Sequence, residues 1–164
     1  MPDHDTSGLA AKVLTVSDGV IHGTRQDKSG EVLVELLADN GYAIVDQRVV
    51  ADGVENVSQA LIEMCDDFSG VVVTTGGTGF GPRDLTPEGT RLVLEREAPG
   101  LAEAMRLCND QGLGRLSRAV AGTRGLALIL NAPGSPKGAV ETVAAVIDII
   151  PHAVRLMSAD PTDH

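Results

Sequence analysis

The residues best suited to chemistry lie between Val71 and Glu88, a stretch reading VVVTTGGTGFGPRDLTPE. Gly76, Gly77, Gly79 and Gly81 lack a Cβ, so they accept positive φ and let backbone N–H groups come close to an anion. Arg83 and Asp84 follow at once, one cationic and one able to hold a metal ion. Further polar groups end other apolar runs: Ser17-Asp18, Asp52, and Asn131-Ala132-Pro133-Gly134-Ser135-Pro136. Amides, hydroxyls, arginines and aspartates of this kind suit phosphate chemistry, in which positioning and charge neutralisation dominate and aspartates bind Mg²⁺.

Two familiar phosphate loops do not account for the glycines. Gly76 and Gly81 have the Walker A spacing, but Pro82 and Arg83 stand where Lys and Ser or Thr are required. Gly77 and Gly79 begin a dinucleotide fingerprint that Pro82 interrupts. A tight turn between strand and helix is the plain alternative, although a turn does not need both Arg83 and Asp84. Each aspartate has a plain alternative too: Asp18 orders its turn, Asp52 precedes a helix, and Asp84 pairs with a nearby arginine. No nucleophile signature is present. Ser135 lacks the Gly-x-Ser-x-Gly elbow, and capping a helix is its simpler role.

The elements that must position these groups alternate. Leu9–Val16, Tyr42–Val50, the β-branched run Val71–Thr75 and Leu126–Leu130 read as strands. Ser29 is expected to cap a helix over 30–40, and Val57, Ala60, Leu61, Met64, Cys65 and Phe68 form the apolar stripe of a helix over 54–68. Thr86 at N-cap and Pro87 at the first helical position open a helix to about Glu97, and a second runs from Pro99-Gly100 through Asn109. The segment 115–121 is open between short helix and loop, and Thr123-Arg124-Gly125 reads as a turn. Ser135-Pro136 opens a helix over 137–150, followed by a last piece to Met157. This order predicts an α/β fold, a three-layer αβα sandwich with a mostly parallel central sheet. It forms a single domain over residues 9–157, between a disordered tail at 1–8 and a loose tail at 158–164. In such sheets the loops leaving strand C-termini share one edge, so the polar groups converge on one crevice.

Composition narrows the function. With 13 Lys and Arg against 23 Asp and Glu, the net charge of −10 opposes nucleic-acid binding but not a local anion pocket. Two Phe, one Tyr and no Trp argue against base stacking on aromatics. Cys65 and Cys108 are expected as buried free thiols of a cytoplasmic protein, and His4, His22, His152 and His164 have no metal-ligand spacing. No apolar run of membrane-spanning length and no signal peptide is seen.

The stretch TTGGTGFGPRDLTPE resembles the signature of the MoaB/Mog family of molybdenum-cofactor biosynthesis, which is similar to the G domain of gephyrin and to plant counterparts. Ser17-Asp18-Gly19 with Asp27-x-Ser29-Gly30 resembles the family's first loop, Asp52 its post-strand aspartate, and Leu116-Ser117-Arg118 its Ser-Arg element. Asn131-x-Pro133-Gly134-Ser135-Pro136 resembles its Asn-Leu-Pro-Gly-x-Pro loop, with Ala132 in place of the frequent leucine.

The resemblance implies a molybdopterin adenylyltransferase that uses Mg²⁺, ATP and molybdopterin. It implies Asp84 and Asp52 as catalytic and metal-binding residues. Substrate binding would fall to Ser17, Asp18, Thr75, Gly76, Gly77, Thr78, Gly79, Arg83, Ser117, Asn131, Pro133, Gly134 and Ser135. A homotrimer or hexamer and hand-over to a molybdenum insertase are also implied, with a molybdopterin carrier and an oligomeric scaffold as alternatives.

Overall fold

Described residues 4–109 and 112–158 of the computed structural model fold in the order β1 (Ala10–Val16), α1 (Asp18–Ile21), α2 (Lys28–Asp39), β2 (Ala43–Val50), α3 (Val54–Cys65) and β3 (Ser69–Thr75). There follow α4 (Thr86–Val93), β4 (Arg96–Glu97), α5 (Pro99–Leu107), a 3-10 turn (Leu113–Leu116), β5 (Ala121–Arg124), β6 (Leu126–Ala132), α6 (Pro136–Ala144) and α7 (Ile150–Met157). One sheet has the order β2-β1-β3-β6-β5-β4. The first four strands in that order pair in parallel, whereas β5 runs antiparallel to both β6 and β4.

Valines 71 to 73 show why the sheet sits between two helical layers. Successive strand side chains point to opposite faces. Val71 and Val73 join Leu33 and Leu37 of α2, Ala139 and Val143 of α6, and Ile150 of α7 in one core. Val72 joins Val57, Leu61 and Met64 of α3 and Val93 of α4 in the other. All three valines are fully buried. Removing Leu61 down to alanine from such a core costs about 2–5 kcal/mol. The three-layer sandwich expected from the sequence is present.

Several local expectations need correction. Asp27, not Ser29, caps α2: its carboxylate accepts from Gly30 N at 3.0 Å and from the Thr15 hydroxyl, which places Ser29 inside the helix. Leu85 occupies the N-cap position of α4, so Thr86 and Pro87 both lie in the first turn. The helix from Thr86 ends at Val93, and Arg96–Glu97 instead pairs with β5. Thr123 and Arg124, read as a turn, belong to β5, with only Gly125 at φ +57 turning the chain. Short antiparallel strands with a polar, half-exposed sequence leave little periodicity to detect. Asn131 lies within β6, not after it. Cys65 is buried, but Cys108 is exposed at the end of α5.

At the N-terminus, His4 Nδ1 lies 3.1 Å from the Asp148 carbonyl, and Arg155 bonds the Asp5 carbonyl. Residues 1–3 and 159–164 of the two expected tails lie outside the described residues. Among the described residues, no helix is long and apolar enough to cross a membrane.

Candidate functional site

The chain leaves β1 towards β2 on one side, while β3 continues the sheet towards β6 on the other. The gap between the ends of β1 and β3 is a topological switch point, the place where open α/β sheets bind ligands. A cavity of about 920 Å³ opens there.

The loop after β3 is shaped by glycine. Gly76 and Gly77 have φ of +101° and +68°, and a Cβ on them would lie 2.2 Å from Val16 O and 2.3 Å from Thr86 Oγ1. Thr86 is fully buried and donates its hydroxyl to Gly76 O at 2.8 Å, while its N–H bonds Gly77 O at 3.0 Å. The loop carbonyls are thereby tied inwards. Its amides are not: among the described residues, the N–H groups of Gly77, Thr78, Gly79 and Phe80 donate no hydrogen bond. Four consecutive donors without a protein acceptor, on residues that line the cavity, are available to an anion. Asp84 closes the loop by accepting from Gly81 N at 2.8 Å, and it also lines the cavity.

Asp18 and Asp52 lock the loops after β1 and β2 together. Asp18 N donates to Asp52 Oδ2 at 2.9 Å and Asp52 N to Asp18 Oδ1 at 3.1 Å. Arg83 joins them from the glycine loop, bonding both oxygens of Asp18 at 2.6 and 3.0 Å and the Asp52 carbonyl at 2.9 Å. The Arg83 guanidinium holds the Asp18 carboxyl below the ordinary carboxylate range. Burial pushes the Asp52 carboxyl upwards, and the negative charges of Asp18 and Asp84 act in the same direction. Asp52 and Asp84 are thus electrostatic neighbours. Mg²⁺ takes one or two carboxylates and completes its shell with phosphate oxygens and water. This pair supplies that donor set.

The cavity wall contains Ser17, Asp52, Thr75 through Gly79, Asp84, Ser117, Asn131 and Pro133 through Ser135. Asp18 and Arg83 are not part of it; they brace each other behind it. Some wall residues are engaged in structural bonds. Asn131 is buried, its amide donating to Thr74 and Thr90 hydroxyls at 2.9 and 3.0 Å and accepting from Val120 N at 3.2 Å. Ser135 caps α6 through Gly138 N at 3.1 Å. Thr75 ties the glycine loop to its neighbour by donating to Pro133 O at 2.7 Å.

The wall also holds residues outside the predicted site set, Ser29 among them although it belongs to the Asp27-x-Ser29-Gly30 motif. Arg25, Lys28 and Ser29 enter the wall from the segment after α1, the first two adding cationic groups. Their signal was available, because that segment leaves a strand at the ligand edge. Met105, Leu113 and Leu116 add apolar surface, and Phe80 stands at the wall with 71% of its surface exposed. Nothing in the local sequence around Leu113 marks it as a site residue. The cavity therefore combines an anion-binding side with an apolar one, suited to a phosphorylated molecule with a ring system.

Residues 12–152 match the family model described as a probable molybdopterin binding domain. The molybdopterin adenylyltransferase of Helicobacter pylori strain J99 is 39% identical over 150 residues, covering 88% of this chain and 85% of that one. The molybdopterin adenylyltransferase of Escherichia coli K12 is 38% identical over 145 residues, covering 85% and 74%. Among solved structures, the molybdopterin biosynthesis enzyme MoaB of Thermus thermophilus superposes with a TM-score of 0.87 at 42% identity, covering 94% of this chain and 99% of that one.

Proposed function

This chain belongs to the molybdopterin-binding domain family of molybdenum-cofactor biosynthesis, and we propose that it transfers AMP from ATP to the terminal phosphate of molybdopterin, releasing pyrophosphate. The observation that carries this reading is the row of four unbonded amides at 77–80 beside two neighbouring carboxylates in one cavity. A phosphate oxygen of molybdopterin bonds to the α-phosphorus of ATP, and the bond from that phosphorus to the bridging oxygen breaks as pyrophosphate leaves. The attacking phosphate ionises with a second pKa of about 6, so it needs no protein base at neutral pH. This agrees with a chain that carries no nucleophile motif.

The amides of residues 77–80 take up charge on the phosphate oxygens, each well-placed donor contributing about 3 kcal/mol to the transition state. Arg25 and Lys28, also on the cavity wall, offset further negative charge. Asp52 and Asp84 are the residues that would hold Mg²⁺, which would neutralise phosphate charge when bound. Asp18 and Arg83 fix the loops that carry these groups. Asn131 and Ser135 shape the wall beside the ring-binding side. The protein acts as a homo-oligomer in the cytoplasm and hands its product to a molybdenum insertase.

Incubation with molybdopterin and Mg-ATP tests this reading, with pyrophosphate and adenylylated pterin measured together. Stoichiometric formation of both is expected. Saturable molybdopterin binding without pyrophosphate release would instead identify a carrier.

A further inference from the structure

One residue outside the cavity wall bonds the glycine loop at three points. Arg118 follows the 3-10 turn, and its main-chain N–H donates to Thr78 O at 2.9 Å. Its Nε donates to Gly79 O at 2.8 Å and its Nη2 to Asp84 O. The remaining branch, Nη1, bonds both carboxylate oxygens of Glu88 in α4 at 2.8 and 2.9 Å. One planar guanidinium therefore holds the middle of the loop at Gly79, its end at Asp84 and the helix that follows. Both side chains are about two-thirds shielded, each with 34% of its surface exposed.

These bonds have a geometric consequence. In a trans peptide the C=O and the next N–H point in opposite directions. The main-chain bond to Thr78 O turns the Gly79 N–H, and the guanidinium bond to Gly79 O turns the Phe80 N–H, away from Arg118 and towards the cavity that these residues line. The same contact at Asp84 O fixes the backbone of the residue whose carboxylate lines that cavity. Lysine would not substitute, because a single ammonium cannot span two carbonyls and a carboxylate as a rigid fork does. The Glu88 carboxyl is held below its ordinary value by Arg118, as expected of a charge-assisted pair.

We infer that Arg118, oriented by Glu88, is a positioning residue that aims the amides of Gly79 and Phe80 and the carboxylate of Asp84 at bound phosphate. Its effect on turnover rests on the adenylyl-transfer reading, whereas its effect on the loop does not.

The full-length parent, Arg118→Ala, Arg118→Lys and Glu88→Gln are compared by amide exchange, by binding of inorganic pyrophosphate and by product formation. Exchange is read at Asp84 and Thr86, whose amides are bonded within the loop. Arg118→Ala is expected to raise exchange there about tenfold and to weaken pyrophosphate binding. In product formation, kcat should fall on the order of 10²-fold, with a smaller change in KM. Millimolar guanidinium should restore part of the kcat loss, Arg118→Lys should remain as impaired as the alanine variant, and Glu88→Gln should be intermediate. If Arg118→Ala does not fold, the lysine and glutamine variants carry the comparison. Exchange and pyrophosphate binding at parent values in these variants would overturn the inference, as would an Arg118→Lys enzyme as fast as the parent. A parent that makes no adenylylated product would remove the adenylyl-transfer reading, while exchange and pyrophosphate binding would still decide the role of Arg118.

Discussion

Two loops leave the adjacent parallel strands β3 and β6 and meet at the same cavity, each leading into a helix with proline in its first turn. After β6, Pro133 and Pro136 have no N–H to offer, Ser135 caps α6 by accepting from Gly138 N, and the loop's two amides, those of Gly134 and Ser135, lack an acceptor among the described residues. After β3, no side chain caps α4, and four successive amides remain without acceptors among the described residues. The loop after β6 caps its helix, supports its neighbour through Pro133 O and leaves two amides free, whereas the loop after β3 leaves four in a row. At one sheet edge, binding capacity thus depends on which backbone donors the fold leaves unsatisfied.

The sharpest way to break this contrast is to disable the chemistry of the open loop. Asp84→Ala should keep the fold and molybdopterin binding but lower turnover roughly 10²- to 10³-fold in a pyrophosphate-release assay. Next in size are backbone tests, read by urea unfolding. Gly76→Ala places a Cβ 2.2 Å from Val16 O at a positive φ and should cost about 2–4 kcal/mol. Gly134→Ala, whose Cβ would sit 3.3 Å from Gly76 Cα, should cost less than about 1 kcal/mol, because small shifts relieve it. Ser135→Ala should lose about 1 kcal/mol through its cap.

The smallest effect is electrostatic. Arg118 depresses the Glu88 carboxyl. Its contribution to stability is therefore present above the ordinary glutamate value of 4.5 and is lost as pH falls through the lower folded value. Solvent exposure keeps it below about 1 kcal/mol. Glu88→Gln should flatten the acid side of the stability curve by that amount.

The two loops also show what was legible in the sequence. Ser135-Pro136 was read as a cap and is one; Thr86-Pro87 has the same pattern, yet Thr86 turns its hydroxyl back to Gly76 O. Propensity identifies a helix start but not which partner the hydroxyl finds, because that depends on a glycine ten residues earlier. The buried valines of β3 and the stripe of α3 fixed the layers, since periodicity is a local property. Asp52 and Asp84 could be placed at one edge from the alternation of strands and helices alone. Arg118 was visible only as part of a motif, and its bonds to Gly79, Asp84 and Glu88 span some 30 to 39 residues of chain. Leu113 and Met105 reach the cavity by tertiary folding, with no local signal.

Transfer of label from ATP tests the central claim most directly. With ATP labelled at the α-phosphate, Mg²⁺ and molybdopterin, label should appear on the pterin product, and with γ-labelled ATP it should appear only in pyrophosphate. Molybdopterin that binds but stays unlabelled by α-labelled ATP, or that acquires the γ label, would contradict adenylyl transfer at this site.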